Sequence, residues 1–286
     1  MAKPGSIHTF ISYKGGTGRT TTCANVAYHA ARQGMRVLVA DLDIDGPGMA
    51  VLADITNDDM AEHSIVRYLA SGVEAAPADF ILRREFPIPG GNTAVIDFMV
   101  APLSYDPSDA LPTFGEGLPA KMSRFRNELR LKYDLIFLDS ASGVSDYTAL
   151  AFSISDFVSI CFRWGRQHVL GSVKLLRLLG GIRRRRLSGG GLFLEDFCMV
   201  GTAVPPPETD EQRQRASDVL ETFSGIMGQI RQQEVRGADE IRLINEFNIL
   251  KWGECIVTER GEAFAQFARV ADMVMARHDR WGGGDE

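Results

Sequence analysis

Residues 13–22 read Tyr13-Lys14-Gly15-Gly16-Thr17-Gly18-Arg19-Thr20-Thr21-Thr22. A short apolar run, residues 7–12, precedes them, and an Ala-rich stretch with helical spacing, residues 23–32, follows. Strand, glycine turn and helix start, in that order, build a cradle for phosphate. Glycines let the backbone curl so that successive N–H groups point inward. A helix beginning near Arg19 adds its positive end. The β- and γ-phosphates of a nucleotide are the natural guests, held by Gly15, Gly16, Thr17, Gly18, Arg19, Thr20 and Thr21. A glycine-rich turn without a ligand is the plain alternative. Lys14, Thr20 and the strand-and-helix context weigh against it. The stretch departs from the pattern G-x-x-x-x-G-K-[ST]: Tyr13 stands at the first Gly, and Arg19 at the Lys.

Two further segments join this one. Residues 36–43 read Arg-Val-Leu-Val-Ala-Asp-Leu-Asp, an apolar run ending in acids. Such a run suits a central parallel strand buried on both faces. Acids at the carboxyl end of a parallel strand stand where open α/β sheets bind ligands. Residues 132–139, Lys-Tyr-Asp-Leu-Ile-Phe-Leu-Asp, have the same shape. A solvated turn after a strand is the bland reading of each; their recurrence beside the glycine turn favours a ligand site.

Lys14-Gly15-Gly16-x-Gly18-x-Thr20 resembles the deviant Walker A motif of the ParA/MinD family of P-loop ATPases, in its Lys-Gly-Gly-x-Gly-Arg-Thr variant. The segment Asp41 to Pro47 is similar to the family's switch I, and Asp139 to its Walker B acid. The resemblance implies a doubly wound, mostly parallel α/β sheet with helices on both faces, and ATP with Mg²⁺ as cofactors. It implies that Lys14 reaches across a homodimer to the partner's phosphates, and that Asp43 orients the attacking water. Thr20, Asp139 and Asp41 would serve the metal, which prefers oxygen ligands and keeps part of its water shell. Gly143 would bring a backbone N–H to the γ-phosphate, and Pro205, in the proline-rich stretch after a late strand, would wall the base. Family members carry prolines after the Walker B acid; here Ser140-Ala141-Ser142-Gly143 makes a softer loop. Arg19 keeps the charge of the usual Lys, but its planar fork makes the swap non-conservative. Nucleotide binding is expected to survive it and hydrolysis to slow.

The chain has 286 residues, 45% of them hydrophobic, and a formal net charge of −6. Its pI is about 5.5 and its mean hydropathy −0.06. These values fit one cytosolic domain over residues 1–281, with residues 282–286 as a disordered tail. No apolar run reaches the length of about 18 residues that a membrane span needs. Residues 1–6 carry no signal-peptide core. Cys23, Cys161, Cys198 and Cys255 lie far apart, which reads as free thiols and argues against a paired-cysteine cluster. The six tyrosines all stand at or before Tyr147, so a tyrosine-rich tail of the bacterial kinase type is excluded.

Strands are predicted at 7–13, 36–41, 94–100, 134–139, 156–162, 197–203 and 241–246. Helices are predicted at 19–33, 61–71, 117–131, 145–153, 166–182, 209–232 and 260–280. Residues 75–92, with Pro77, Pro87, Pro89 and Gly90-Gly91, read as a surface connection, and 187–192 as an exposed loop. Residues 252–254, Trp-Gly-Glu, receive no chemistry.

Arg183, Arg184, Arg185 and Arg186 form the most basic run. A grip on nucleic acid is one reading; a solvated helix end, where cations are favoured, is preferred. Residues 262–281 show an apolar helical face, but their mixed charges suit core packing better than a membrane surface. The chain is expected to be an ATPase switch, dimeric with ATP, that acts on an unidentified protein partner or activator. The rival is a nucleotide-loaded adaptor with little turnover.

Overall fold

The computed structural model describes residues 3–103, 117–187, 193–232, 240–253 and 255–281. The expected tail 282–286 and most of the loop expected at 187–192 lie outside the described residues. Among the described residues one eight-stranded sheet runs through the molecule. Its strands are β1 (Ser6–Ser12), β2 (Val37–Leu42), β3 (Leu82–Pro87), β4 (Thr93–Met99), β5 (Leu135–Ser140), β6 (Phe157–Phe162), β7 (Asp196–Val204) and β8 (Ile241–Asn245). The spatial order is β3-β4-β2-β5-β1-β6-β7-β8. Every pairing is parallel except the β3–β4 hairpin. The fold is therefore the doubly wound, mostly parallel α/β sheet that the sequence led us to expect.

Strands β1, β2, β5 and β6 are buried throughout, because helices cover both faces and every side chain meets a core. On one face α1 (Arg19–Arg32) and the last helix pack over Phe10, Val39 and Phe137. On the other, α5 (Leu118–Leu129) and α6 (Asp146–Ile154) cover Ile7, Leu38 and Ile136. There too, α7 (Arg166–Leu187) and α8 (Asp210–Arg231) cover Ile160, Phe162 and Met199. Short helices α2 (Met49–Leu52), α3 (Asn57–Met60) and α4 (Ile65–Ala70) follow β2. A single-turn helix α9 (Asn248–Trp252) and the long α10 (Glu262–Arg280) close the described chain. Residues 262–280 do serve the core: Phe267, Val270, Ala271 and Val274 are buried on the α1 face. No helix of the described residues is long and apolar enough to cross a membrane.

The region read as a surface connection contains a strand. β3 alternates half-buried and exposed residues, since an edge strand packs on one face only. Gly90 and Gly91, with φ of 115° and 96°, turn the β3–β4 hairpin, and Ile88 N–H donates to Asn92 at 2.8 Å. Of the prolines that suggested irregularity, Pro77 opens a short 3₁₀ turn, residues 77–80, before the strand, and Pro87 and Pro89 sit at the strand's end and in its turn, where no ladder bond is lost.

Helix α1 is buried along almost its whole length. Its run of Ala27, Ala30 and Ala31 lets it lie close between the sheet and α10. This burial encloses His29, whose ring is fully shielded and stands 4.4 Å from the Phe264 ring. Burial, then the nearby Arg32, lowers its pKa from 6.5 to about 4. Between those values the unfolded chain binds a proton that the folded chain does not, so stability falls as the pH falls through that window. The full loss is up to roughly 3 kcal/mol. His29→Leu is expected to flatten the pH dependence of the urea midpoint between pH 7 and 4; an unchanged slope would mean that the folded chain already accepts that proton.

Candidate functional site

β1 lies between β5 and β6, while its own continuation through α1 runs outward to β2. The carboxyl end of β1 is thus a point where connections diverge, the place where open α/β sheets bind ligands. Residues 13–18 turn there. Gly16 and Gly18 adopt φ of 71° and 70°, in the left-handed region, and Gly18 precedes α1 without any side-chain cap. The first N–H groups of α1 therefore have no protein side chain to answer them. A chamber of about 540 Å³ opens over this turn, lined by Gly15 to Thr21, Asp43, residues 45–48 and Ser142. A second cavity of about 220 Å³ shares Gly16, Thr17, Gly18 and Thr21 with it. One chamber suits phosphates and the other a flat ring.

The acids assemble at the chamber floor through register. Asp41 and Asp139 are direct neighbours on β2 and β5, and both are fully buried. Burial, then the charge of Asp139, pushes the Asp41 carboxyl well above its ordinary range. Asp41 is committed to the following loop: its oxygens accept from Asp43 N at 3.0 Å and from Met49 N at 3.3 Å. It does not line the chamber, so it shapes the loop after β2 from beneath.

Arg19 lies across the acids. Its Nε donates to Asp139 Oδ1 at 2.6 Å and its Nη2 to Asp43 Oδ2 at 2.5 Å. Burial alone would lower its pKa, but Asp139 and Asp43 outweigh that and raise it. Burial first, against the opposing pull of Arg19, raises the Asp43 carboxyl. Sequence reasoning set Arg19 among the phosphate ligands; the structure engages its fork with carboxylates.

Two other expectations meet a different geometry. Gly143 has φ 81°, but its N–H donates to Ser12 O at 2.8 Å. In this state it ties the loop after β5 to β1 and has no free donor for a phosphate. Pro205 is exposed and lies outside the lining of the smaller cavity. That lining comes from Thr202 and Ala203 on one side and from Ile244, Asn245, Glu246, Phe247 and Leu250 on the other. Ala203 holds a φ of 46° where the β7–β8 register shifts, a bulge of the kind found beside sites. The end of β8 carried no motif. Its position beside β7, at the carboxyl edge, is what brings it in.

Tyr13, the oddity of the glycine turn, points away from the phosphate chamber. Its ring packs on Gly171 of α7, where a Cβ would sit 2.0 Å from Tyr13 Cδ1. It bolts the turn to α7. Lys14 is exposed, and its Nζ donates to Gln167 Oε1. It lines neither cavity. Arg163 Nη1 reaches Gly16 O at 3.3 Å and lines the smaller one.

The donor set fits a magnesium ion. Thr20 offers a hydroxyl from the first turn of α1, and the buried Asp139 Oδ2 has no partner among the described residues. No group of three or more His, Cys, Asp or Glu among them could hold a metal alone. Mg²⁺ needs few protein ligands when phosphates and water complete its shell.

The basic run resolves into a helix end. Arg183 Nε donates to Glu195 O at 3.0 Å and Arg186 pairs with Glu195.

The AAA domain family model matches residues 5–188. The chain belongs to this family, within the ParA/MinD group of P-loop ATPases. Its similarity to an uncharacterized protein of Pseudomonas putida is 32% identity over 163 residues, 56% of each chain. With the chromosome-partitioning ATPase Soj of Thermus thermophilus it shares 28% over 170 residues, 59% of each. The chain thus spans little more than half the length of these curated relatives. The crystal structure of the cell division ATPase MinD of Pyrococcus furiosus matches its fold. The TM-score is 0.67 at 18% identity, covering 96% of this chain and 99% of that one.

Proposed function

We propose that the chain is a cytoplasmic, Mg²⁺–ATP-dependent molecular switch that dimerises on ATP and is released by hydrolysis. The observation that carries this reading is the meeting of the glycine turn with Asp43 in one chamber at the end of β1, with the buried Asp139 joined to it through Arg19. The backbone of the exposed Gly15 and Gly16, with the N-terminus of α1, suits the phosphates. Bound there, magnesium would neutralise phosphate charge beside Thr20 and Asp139. Asp43, at the chamber wall, would orient a water. Such transfer needs positioning and electrostatics above all. Lys14, which lies outside its own chamber, would serve a partner's phosphates. The smaller cavity, with Phe247 and Leu250, would take the base. Soj and MinD are a partitioning and a division ATPase, which favours a role in placing or regulating a protein partner.

Size-exclusion light scattering tests this directly. The 31.4 kDa chain is expected to double in mass with Mg²⁺–ATP and to return as phosphate is released. A mass unchanged by any purine triphosphate would sink the switch.

One observation favours a second reading, a loaded adaptor with negligible turnover: Arg19 engages the water-orienting Asp43. Retained ATP binding and dimerisation without phosphate release would select it.

A further inference from the structure

We infer that Arg19 is the resting counter-ion of the acids, standing between Asp43 and Asp139 where the metal would act, and that guanidinium and magnesium exchange places on loading. The inference rests on the reading of this chamber as a Mg²⁺–nucleotide site.

Three oxygens define the position. Arg19 donates to Asp139 Oδ1 at 2.6 Å, to Asp43 Oδ2 at 2.5 Å and, more weakly, to Thr20 Oγ1 at 3.5 Å. Thr20, Asp139 and Asp43 are the residues through which a metal and its water would be held. One side chain therefore touches the whole set. The contact is built in: the Arg19 and Asp139 side chains are 5% and 0% exposed, and Asp43 only 17%. Asp139 keeps one buried oxygen, Oδ2, without a partner among the described residues, a place for a further ligand.

The chemistry explains why an arginine suits this task. Asp41 and Asp139 stand side by side in register, and Asp43 follows two residues on. Buried carboxylates without a cation are strongly disfavoured. A planar fork bridges two carboxylates at once, each by a short charge-assisted bond. A lysine is a single point charge and cannot spread across both acids in the same plane.

Two consequences follow. A divalent ion arriving alone must displace a well-held guanidinium, so the ligand-free chain binds it poorly. A triphosphate offers the guanidinium new oxygens, so nucleotide and metal load together, each raising the other's affinity. Until then Asp43 is engaged, and the site is idle.

The test uses Mn²⁺ as the probe, followed by electron paramagnetic resonance on the full chain without nucleotide. Arg19→Gln, which removes the charge, is expected to bind Mn²⁺ at least tenfold more tightly than the unaltered chain, with Arg19→Lys between them. Adding ADP is expected to tighten Mn²⁺ binding at least tenfold in the unaltered chain and much less in Arg19→Gln. Equal Mn²⁺ affinity in the unaltered chain and Arg19→Gln overturns the inference, as does equal coupling to ADP. If Arg19→Gln does not fold, the Arg Nε–H spectrum of the unaltered chain decides. One signal, identified by its loss in Arg19→Lys, is expected to be protected from exchange and to shift when Mg²⁺ and a non-hydrolysable ATP analogue are both added. A fast-exchanging or unmoved signal overturns the proposal. The Mn²⁺-alone comparison needs no nucleotide, so it stays decisive even if ADP fails to bind and the nucleotide reading falls.

Discussion

Asp43→Ala is expected to lower phosphate release at least about 100-fold while Mg²⁺–ATP affinity stays within a few-fold. A loss of that size corresponds to roughly 3 kcal/mol of transition-state stabilisation. Asp43 is only partly buried and faces the chamber, while its neighbours in charge, Asp41 and Asp139, lie fully beneath. It is the acid within reach of a water over the phosphates. Its removal also costs Arg19 one of two partners, but the Asp139 pair at 2.6 Å remains, so the turn should hold its shape. Coupled phosphate-release and fluorescent-ATP titrations check this. Turnover within threefold of the unaltered chain would remove Asp43 from the reaction.

Lys14→Ala is expected to abolish ATP-driven dimerisation while the monomer still binds nucleotide within about threefold. Lys14 is exposed, donates to Gln167 on α7 and lines neither cavity, so its charge contributes little to its own cradle. In a twofold dimer such a contact occurs twice, once from each protomer. A charge-assisted bond to a phosphate contributes about 1.5–3 kcal/mol, so two lost bonds weaken the dimer by roughly 100- to 10⁴-fold. Light scattering beside a nucleotide titration separates the outcomes. Collapse of monomer affinity would show that Lys14 acts on its own nucleotide.

Local patterns carried most of the fold. Strands β1, β2 and β5 were legible because each is a continuous apolar run ending at a glycine turn or an acid. α10 was legible because Phe267, Val270 and Val274 recur at helical spacing. β3 was not, because an edge strand whose centre is Arg83-Arg84-Glu85, charged on both faces, has no apolar signature of its own; its partner β4 makes it a strand. α2 and α3 are one turn each and owe their shape to the loop around them.

The same divide runs through the site. The glycine turn and the two acid-tipped strands were readable from neighbouring residues. The engagement of Arg19 with Asp43 and Asp139 joins positions 24 and 120 residues apart, and only the parallel register of β2 and β5 brings them together. Pro205 was chosen for its chemistry, but the bulge at Ala203 turns the chain so that Thr202 and Ala203 face the smaller cavity. Asn245 at the end of β8 and Phe247 just before α9 enter from a segment that no motif marked. Gly143 kept the left-handed turn that its type allows, yet its N–H is committed to Ser12.

Isothermal titration calorimetry of the purified chain with a non-hydrolysable ATP analogue and Mg²⁺ bears most directly on the central claim, that the chamber over residues 15–21 is a nucleotide site. One site per chain is predicted, with affinity falling at least tenfold when Mg²⁺ is withheld. Absence of heat with adenine and guanine triphosphates alike, on protein shown to be folded, would contradict it.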